Sequence, residues 1–159
     1  MSTSLVLIDH EAGKVAKTAG ELATFAKRIG DVHGIVLASP GAGEAIANQL
    51  SGTSISKVFV IEDSALEKNG IGAAVDAIAQ LAASQNPAAM LIASSARGKE
   101  IGGRLAVRLE SGIITDAIDV SSDISTTQSI FGGSFNVTSK ITKGIPVITV
   151  RPSPIEAEA

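Results

Sequence analysis

The chain has no cysteine, no tryptophan and no tyrosine, and only four phenylalanines, Phe25, Phe59, Phe131 and Phe135. Without cysteine there are no disulfides, no thiol redox chemistry and no cysteine-ligated metal. So few aromatics leave little with which to stack a flavin ring or a nucleic-acid base. Histidine is as scarce. His10 and His33 have no i,i+4 ligand partner, so no metal site is expected. Lysines and arginines are scattered and the formal charge is −3, which argues against a nucleic-acid partner. No apolar run approaches the roughly 18 residues of a membrane-spanning helix, so no membrane insertion is expected. Met1-Ser2-Thr3-Ser4 runs straight into Leu5-Val6-Leu7-Ile8. That leaves no room for a signal or transit peptide, and the expectation is a cytoplasmic, bacterial protein.

What the chain has is alanine and glycine. Small residues let helices approach a sheet closely. They also remove less apolar area from water per buried position, at roughly 25 cal/mol per Å². Such a chain is expected to draw part of its stability from a partner surface.

Strand-like runs alternate with helical periodicity over the first two thirds of the chain. Leu5 to Asp9 is predicted as a strand. A helix follows from Thr18, its expected cap, to Ile29, stopped by Gly30. Val32 to Ala38 is a strand, Ser39 to Gly43 a turn, and a helix runs on to Leu50. Lys57 to Ile61 is a strand. Gly70 to Ser84 is a helix with Val75, Ile78 and Leu81 inward, broken by Asn86-Pro87. Ala88 to Ala93 then feeds a helix carrying Ile101, Leu105 and Leu109 on one face, through the turn Ser94-Ser95-Ala96-Arg97-Gly98-Lys99. This alternation predicts βαβ units and a parallel sheet. After Leu109 the texture is strand-rich: Ile113 to Val120, Gln128 to Phe131, Phe135 to Ile141 and Val147 to Val150. Phe135, Val137 and Ile141 alternate with polar residues as in a half-buried strand. Lys143-Gly144 reads as a tight turn between antiparallel neighbours.

Few residues propose chemistry. Ser39-Pro40-Gly41-Ala42-Gly43-Glu44 hints at a phosphate cradle but lacks G-x-G-x-x-G and the P-loop ending. Ser94 and Ser95 have no local histidine to activate them. Asp9, Asp63, Asp116, Asp119 and Asp123 fall at strand ends or in turns, where acids cap helices and solvate loops. No catalytic, cofactor-binding or metal-ligating residue is assigned. A small-molecule enzyme using Asp and Ser groups remains a third, weaker alternative.

Taken in order, the motifs resemble the N-terminal domain of the electron-transfer flavoprotein α subunit. Val6-Leu7-Ile8-Asp9-His10 with Gly13-Lys14-Val15 is similar to that family's opening. Gly98-Lys99-Glu100 and Arg104-Leu105-Ala106-Val107-Arg108-Leu109 resemble its turn and helix. Thr115 to Val120, Phe131-Gly132-Gly133-Ser134 and Val147 to Pro152 resemble later segments. Gly103, Phe131, Ser134, Thr127 and Gln128 depart from the family pattern. The resemblance implies a three-layer α/β sandwich with a mainly parallel sheet, of the adenine nucleotide alpha hydrolase-like kind, extended by antiparallel strands at its C-terminal end. It implies a domain over 1–151 with a tail or linker stump at 152–159. It further implies part of a heterodimeric FAD-containing electron carrier between dehydrogenases and the respiratory chain, and not an enzyme. The expected partners are a β subunit and, through the complex, dehydrogenases. FAD belongs to the full-length family protein, bound by a following domain, and none is expected on this fragment. Arg97, Lys99, Arg104 and Arg151 are the interface candidates, as cations at turns and helix starts. The alternative is a stand-alone nucleotide-binding module of the same architecture, suggested by the two small-residue turns.

Overall fold

Along Leu5-Val6-Leu7-Ile8, alternate side chains turn to opposite faces, and all four are buried. A strand apolar on both faces must be covered on both, and this one lies mid-sheet. The structure is a computed structural model and describes residues 2–152 and 157. The strands are β1 (Thr3–Leu7), β2 (His10–Glu11), β3 (Lys14–Val15), β4 (Asp31–Ala38), β5 (Lys57–Glu62), β6 (Ala89–Ala93), β7 (Ile113–Val120), β8 (Thr126–Ile130), β9 (Phe135–Ser139) and β10 (Val147–Val150). The helices are α1 (Thr18–Ile29), α2 (Gly43–Ala47), α3 (Ala65–Lys68), α4 (Gly70–Gln85) and α5 (Ala96–Arg108), with 3₁₀ turns at Asn48–Leu50 and Phe131–Gly133.

Eight strands form one sheet in the order β5-β4-β1-β6-β10-β7-β8-β9. Pairings from β5 through β7 are parallel. Those of β7 with β8 and β8 with β9 are antiparallel. The predicted three-layer architecture is therefore present, a parallel core with an antiparallel extension. One face packs against α1 and α2 through Leu22, Phe25 and Ile46, beneath Val6, Val36, Leu91 and Ile148. The other packs against α4 and α5 through Val75, Ile78, Ile101 and Leu105, above Leu7, Ile35, Ile92 and Val147. Arg28 fastens α1 to β7. Its guanidinium meets Asp119 at 2.7 Å, donates to the Val120 carbonyl at 3.1 Å and lies over the Phe25 ring.

Local differences from the expected elements have identifiable causes. Thr18 opens α1 from inside; Lys17 holds the cap position and no side chain caps it. Leu81 is only half-buried, because the inner face of α4 runs through Ala74, Val75, Ile78 and Ala82. Asp9 and His10 leave the first strand, and His10–Glu11 pairs with Lys14–Val15 in a two-residue ribbon.

Two corrections concern the C-terminal third. Lys143-Gly144 does not join antiparallel neighbours. β10 crosses back and inserts, parallel, between β6 and β7. Its residues Val147-Ile148-Thr149-Val150 are all buried, as a central strand demands. Nor is β9 half-buried. Phe135 is 62% and Val137 38% exposed, because among the described residues no α-helix follows α5 to cover β9. The expected tail at 152–159 lies outside the described residues except for Pro152 and Ala157.

The contact between α5 and β6 requires a hydrogen in place of a side chain. A Cβ on Gly98 would lie 2.0 Å from the Ala93 carbonyl oxygen, whereas one on Gly103 would meet nothing within 4 Å. Gly98→Ala is expected to cost about 2–3 kcal/mol in denaturant unfolding, from overpacking against backbone. Gly103→Ala, on the same helix, is expected to be neutral or to stabilise by up to about 1 kcal/mol.

Candidate functional site

Parallel strands all end at one edge of the sheet, and the turns that leave those ends carry the polar residues of interest. After β1 come Asp9 and His10. After β4 comes the Ser39–Gly43 turn, after β6 Ser94 and Ser95 leading into Arg97 and Lys99, and after β10 Arg151.

The centre of this edge is a closed ring of hydrogen bonds. The Asp116 backbone N–H donates to Thr149 Oγ1 at 3.1 Å, and Ser94 Oγ donates to Asp116 Oδ1 at 2.5 Å. The carboxylate only accepts, so the Ser94 proton is committed to it. The 3.0 Å contact between Ser94 and Thr149 must then have Thr149 as donor. Thr149 is fully buried, and the ring satisfies its hydroxyl. A register shift between Ile148 and Val150, with Asp116 at φ 54, turns the Asp116 amide toward Thr149. On its outer side Asp116 Oδ2 meets Lys99 Nζ at 2.8 Å. The hydrogen bond from Lys99, then that from Ser94, holds the Asp116 carboxyl below its usual range, and the Arg151 charge adds to this.

Beside the ring, Asp9, His10, Ser39, Glu67 and Arg97 line an open cleft of about 300 Å³. Burial pushes the Asp9 carboxyl up, and the nearby charges of Arg97 and His10 pull it back. His10 Nε2 donates to the Leu37 carbonyl at 2.7 Å, which fixes the proton on that nitrogen. Ser39 Oγ donates to Glu67 Oε1.

The glycine turn after β4 is already filled. Glu62, at the end of β5, accepts from the Gly41 N–H at 3.0 Å through Oε2 and from the Gly43 N–H at 2.7 Å through Oε1. Those two bonds hold its carboxyl below the ordinary glutamate value. A Cβ on Gly43 would come within 2.2 Å of Val60 Cγ1, so the turn must lie hard against β5. At the start of α5, Ser95 Oγ caps the Gly98 N–H at 2.9 Å.

The four interface candidates do not gather. Lys99 and Arg151 converge on Asp116, and Arg97 stands by Asp9. Arg151 Nη2 also reaches the Ser129 carbonyl at 3.5 Å. Arg104 is two helical turns away, paired with Glu100 at 2.6 Å on the outer face of α5. The remaining acids serve turns and ion pairs. Asp63 accepts from the Ala65 amide, Asp119 holds Arg28, and Asp123 accepts from Ser121 and Ser125, which keep it far below the usual range. No three His, Cys, Asp or Glu residues assemble as a metal site among the described residues. Nor is any described helix long and apolar enough to cross a membrane. Glu62 and Thr149 could not be singled out from the sequence, since each acts on a turn or strand distant along the chain.

Asp116 tests the ring. Its carboxyl binds a proton less readily in the folded state, so its stabilisation is present above the ordinary value of 3.8 and is lost as pH falls below it. Asp116→Asn keeps a residue that tolerates positive φ. The expected deficit against wild type is about 1 kcal/mol at pH 7, allowing for solvent screening of a partly exposed pair. In chemical unfolding followed from pH 7 to pH 2, that deficit should close as the pH drops through the acid range.

Residues 4–159 match the family described as the electron transfer flavoprotein domain. The chain is 40% identical over 158 residues to the electron transfer flavoprotein subunit alpha of Mycobacterium leprae (strain TN), covering 99% of this chain and 50% of that protein. Identity and coverage are the same for the subunit alpha of Mycobacterium tuberculosis (strain ATCC 25618 / H37Rv). The subunit alpha of Syntrophomonas wolfei subsp. wolfei is 29% identical over 161 residues, with 98% of this chain and 50% of that protein covered. The chain spans about half the length of the curated relatives it matches. The motif resemblance and these alignments agree: the chain belongs to the electron transfer flavoprotein domain family.

Proposed function

We propose that this chain is the N-terminal domain of an electron-transfer flavoprotein α subunit and acts as scaffold and subunit interface in a heterodimeric, FAD-containing electron carrier. Residues 1–151 are its domain and 152–159 a tail or linker stump. Its place is the cytoplasm of a bacterium, and it carries electrons between dehydrogenases and the respiratory chain only as part of the whole complex.

The observation that carries this reading is that the glycine turn and the α5 cap at the carboxyl edge are already occupied by the chain's own side chains. Glu62 takes the Gly41 and Gly43 amides, and Ser95 takes that of Gly98. Those donors are the ones a pyrophosphate would need. None of the four phenylalanines lines the cleft beside Arg97. The residues at this edge therefore do not fit a flavin dinucleotide, which supports housing the cofactor elsewhere in the carrier. The serine hydroxyls there are tied up, Ser94 in the ring with Asp116 and the buried Thr149 and Ser39 on Glu67, which favours a carrier component over an enzyme. What the edge offers outward is exposed charge, Arg97, Lys99 and Arg151, set on rigid strand ends and a helix start. Charged rims of this kind fix the register of a protein partner at short range. Arg104, farther along α5, is a peripheral contact.

Co-expression with a cognate β subunit is expected to yield a stable complex. Reversing Arg97 and Lys99 together to glutamate should weaken it by about tenfold or more in a titration, and Arg104→Glu by less. Failure to form any complex would sink the reading.

Two measurements on the chain alone bear on the cofactor and on the nucleotide-binding alternative. The purified protein should be colourless after desalting, with no flavin absorbance. Calorimetry with AMP, ADP and ATP should show no micromolar binding, because Glu62 already occupies the glycine turn.

A further inference from the structure

The cleft at the carboxyl ends of β1 and β4 contains two charged groups that the fold leaves without a contact. Asp9, just past β1, and Arg97, in the first turn of α5, both line it. Among the described residues neither side chain forms a hydrogen bond or an ion pair, with the other or with anything else. Their neighbours are matched, Glu67 with Ser39, Lys99 with Asp116 and Glu62 with the glycine turn. Asp9 is half-buried, and a carboxylate taken partly from water without a donor is left uncompensated. Burial is accordingly the larger influence on it, against which the Arg97 charge acts from across the cleft. The donors nearby are already used. His10 gives its ring proton to the Leu37 carbonyl, and Ser39 gives its hydroxyl proton to Glu67. The group that satisfies Asp9 must therefore come from outside the chain. Leu7, Leu37 and Leu66 supply an apolar wall, and the volume of about 300 Å³ is at the low end for a small-molecule site.

We infer that this cleft binds a small zwitterion, an α-amino acid with an aliphatic side chain, its ammonium on Asp9 and its carboxylate on Arg97. A plain cation would meet the Arg97 charge, and a plain anion would meet Asp9 and Glu67, which line the same cleft. A guest carrying both signs on one carbon satisfies both unpaired groups and leaves the charge of the site unchanged. The ammonium brings three donors to a carboxylate that has none. The carboxylate offers the planar, two-oxygen partner that a guanidinium takes side by side. Because Asp9 and Arg97 do not touch, a guest can stand between them without breaking an existing pair. Its side chain then lies on the leucine wall, away from water. The inference goes beyond the scaffold role and does not rest on the β-subunit contact. Arg97 is common to both, whereas Asp9 belongs to this site alone.

An amide-resolved NMR titration of the 159-residue chain with L-leucine tests it. Saturable shifts are expected at Asp9, His10, Ser39 and Arg97 and none in β8 or β9, with a dissociation constant below about 10 mM. Two half-ligands need no variant. Isocaproate, which lacks the ammonium, and isoamylamine, which lacks the carboxylate, should each bind at least about tenfold more weakly than leucine. Asp9→Asn and Arg97→Gln should each weaken leucine by at least about tenfold, in chains whose spectra away from the cleft match wild type. No saturable shift up to about 50 mM leucine, a half-ligand that binds as tightly as leucine, shifts centred outside the cleft, or a well-folded Asp9→Asn chain that binds leucine unchanged would each overturn the proposal. The titration contains no β subunit, so its failure is distinct from failure of the complex to form.

Discussion

The strand that comes last among those described is also the one the sheet cannot close without. Val147–Val150 completes backbone pairing with β6 on one side and β7 on the other. It feeds Ile148 and Val150 into one core and Val147 into the other. Remove it and the two apolar layers lose their common wall. The arrangement puts a threonine at a fully buried position. An unpaired hydroxyl there would cost the full desolvation penalty of about 1–3 kcal/mol. The Ser94–Thr149–Asp116 ring meets that demand, and it uses a bulge and a left-handed Asp116 to do so. The polar centre of the carboxyl edge is thus a consequence of core closure before it is anything else. Lys99 then seals the ring from the first turn of α5, binding the helix to β7 through Asp116.

The same economy governs the rest of that edge. Doubly wound sheets ordinarily leave backbone donors free where helices and glycine turns begin, and ligand anions settle there. In this chain the anions are its own side chains. A tethered carboxylate faces no loss of translational freedom on entering a cradle, so an external phosphate would have to displace Glu62 at a disadvantage. The cations are handled alike, with Lys99 and Arg151 drawn to Asp116 and Arg97 to Asp9. Local neutralisation lowers the long-range field of the edge and leaves short-range geometry as its contribution to recognition.

How much of this could be read from the sequence follows the range of the forces involved. The α1 span, the strand over Ile113–Val120 and the parallel core are written in local periodicity and stand where expected. The place of β10 is not, because a four-residue apolar strand fits a hairpin or a central slot equally well until its neighbours are known. The exposure of β9 depends on a missing helix, which an alternating pattern cannot report. Among the candidate cations, Arg97 and Lys99 were legible as edge residues because the turn placed them there. Arg104 was not separable from them by type. Seven residues at about 1.5 Å rise carry it roughly 10 Å down the helix from Arg97, away from the strand ends. Glu62 and Ser94 needed the third dimension, since their partners lie 19 to 55 residues away.

The alanine- and glycine-rich composition sets the terms for all of these features. Helices seated close to the sheet, as at Gly98, gain contact but bury little area per residue, so each strand has to be covered on both faces to contribute fully. Five parallel pairings achieve this between α1 and α2 on one side and α4 and α5 on the other. The helical cover ends with β7. Beyond it β8 is half-buried and β9 is exposed on both faces, so these strands depend mainly on backbone pairing and β-propensity. Their residues fit that task, being threonine, serine, valine, isoleucine and phenylalanine in the main. A sheet that outgrows its helices in this way carries its least-satisfied backbone and its most exposed aromatic rings at one lateral boundary.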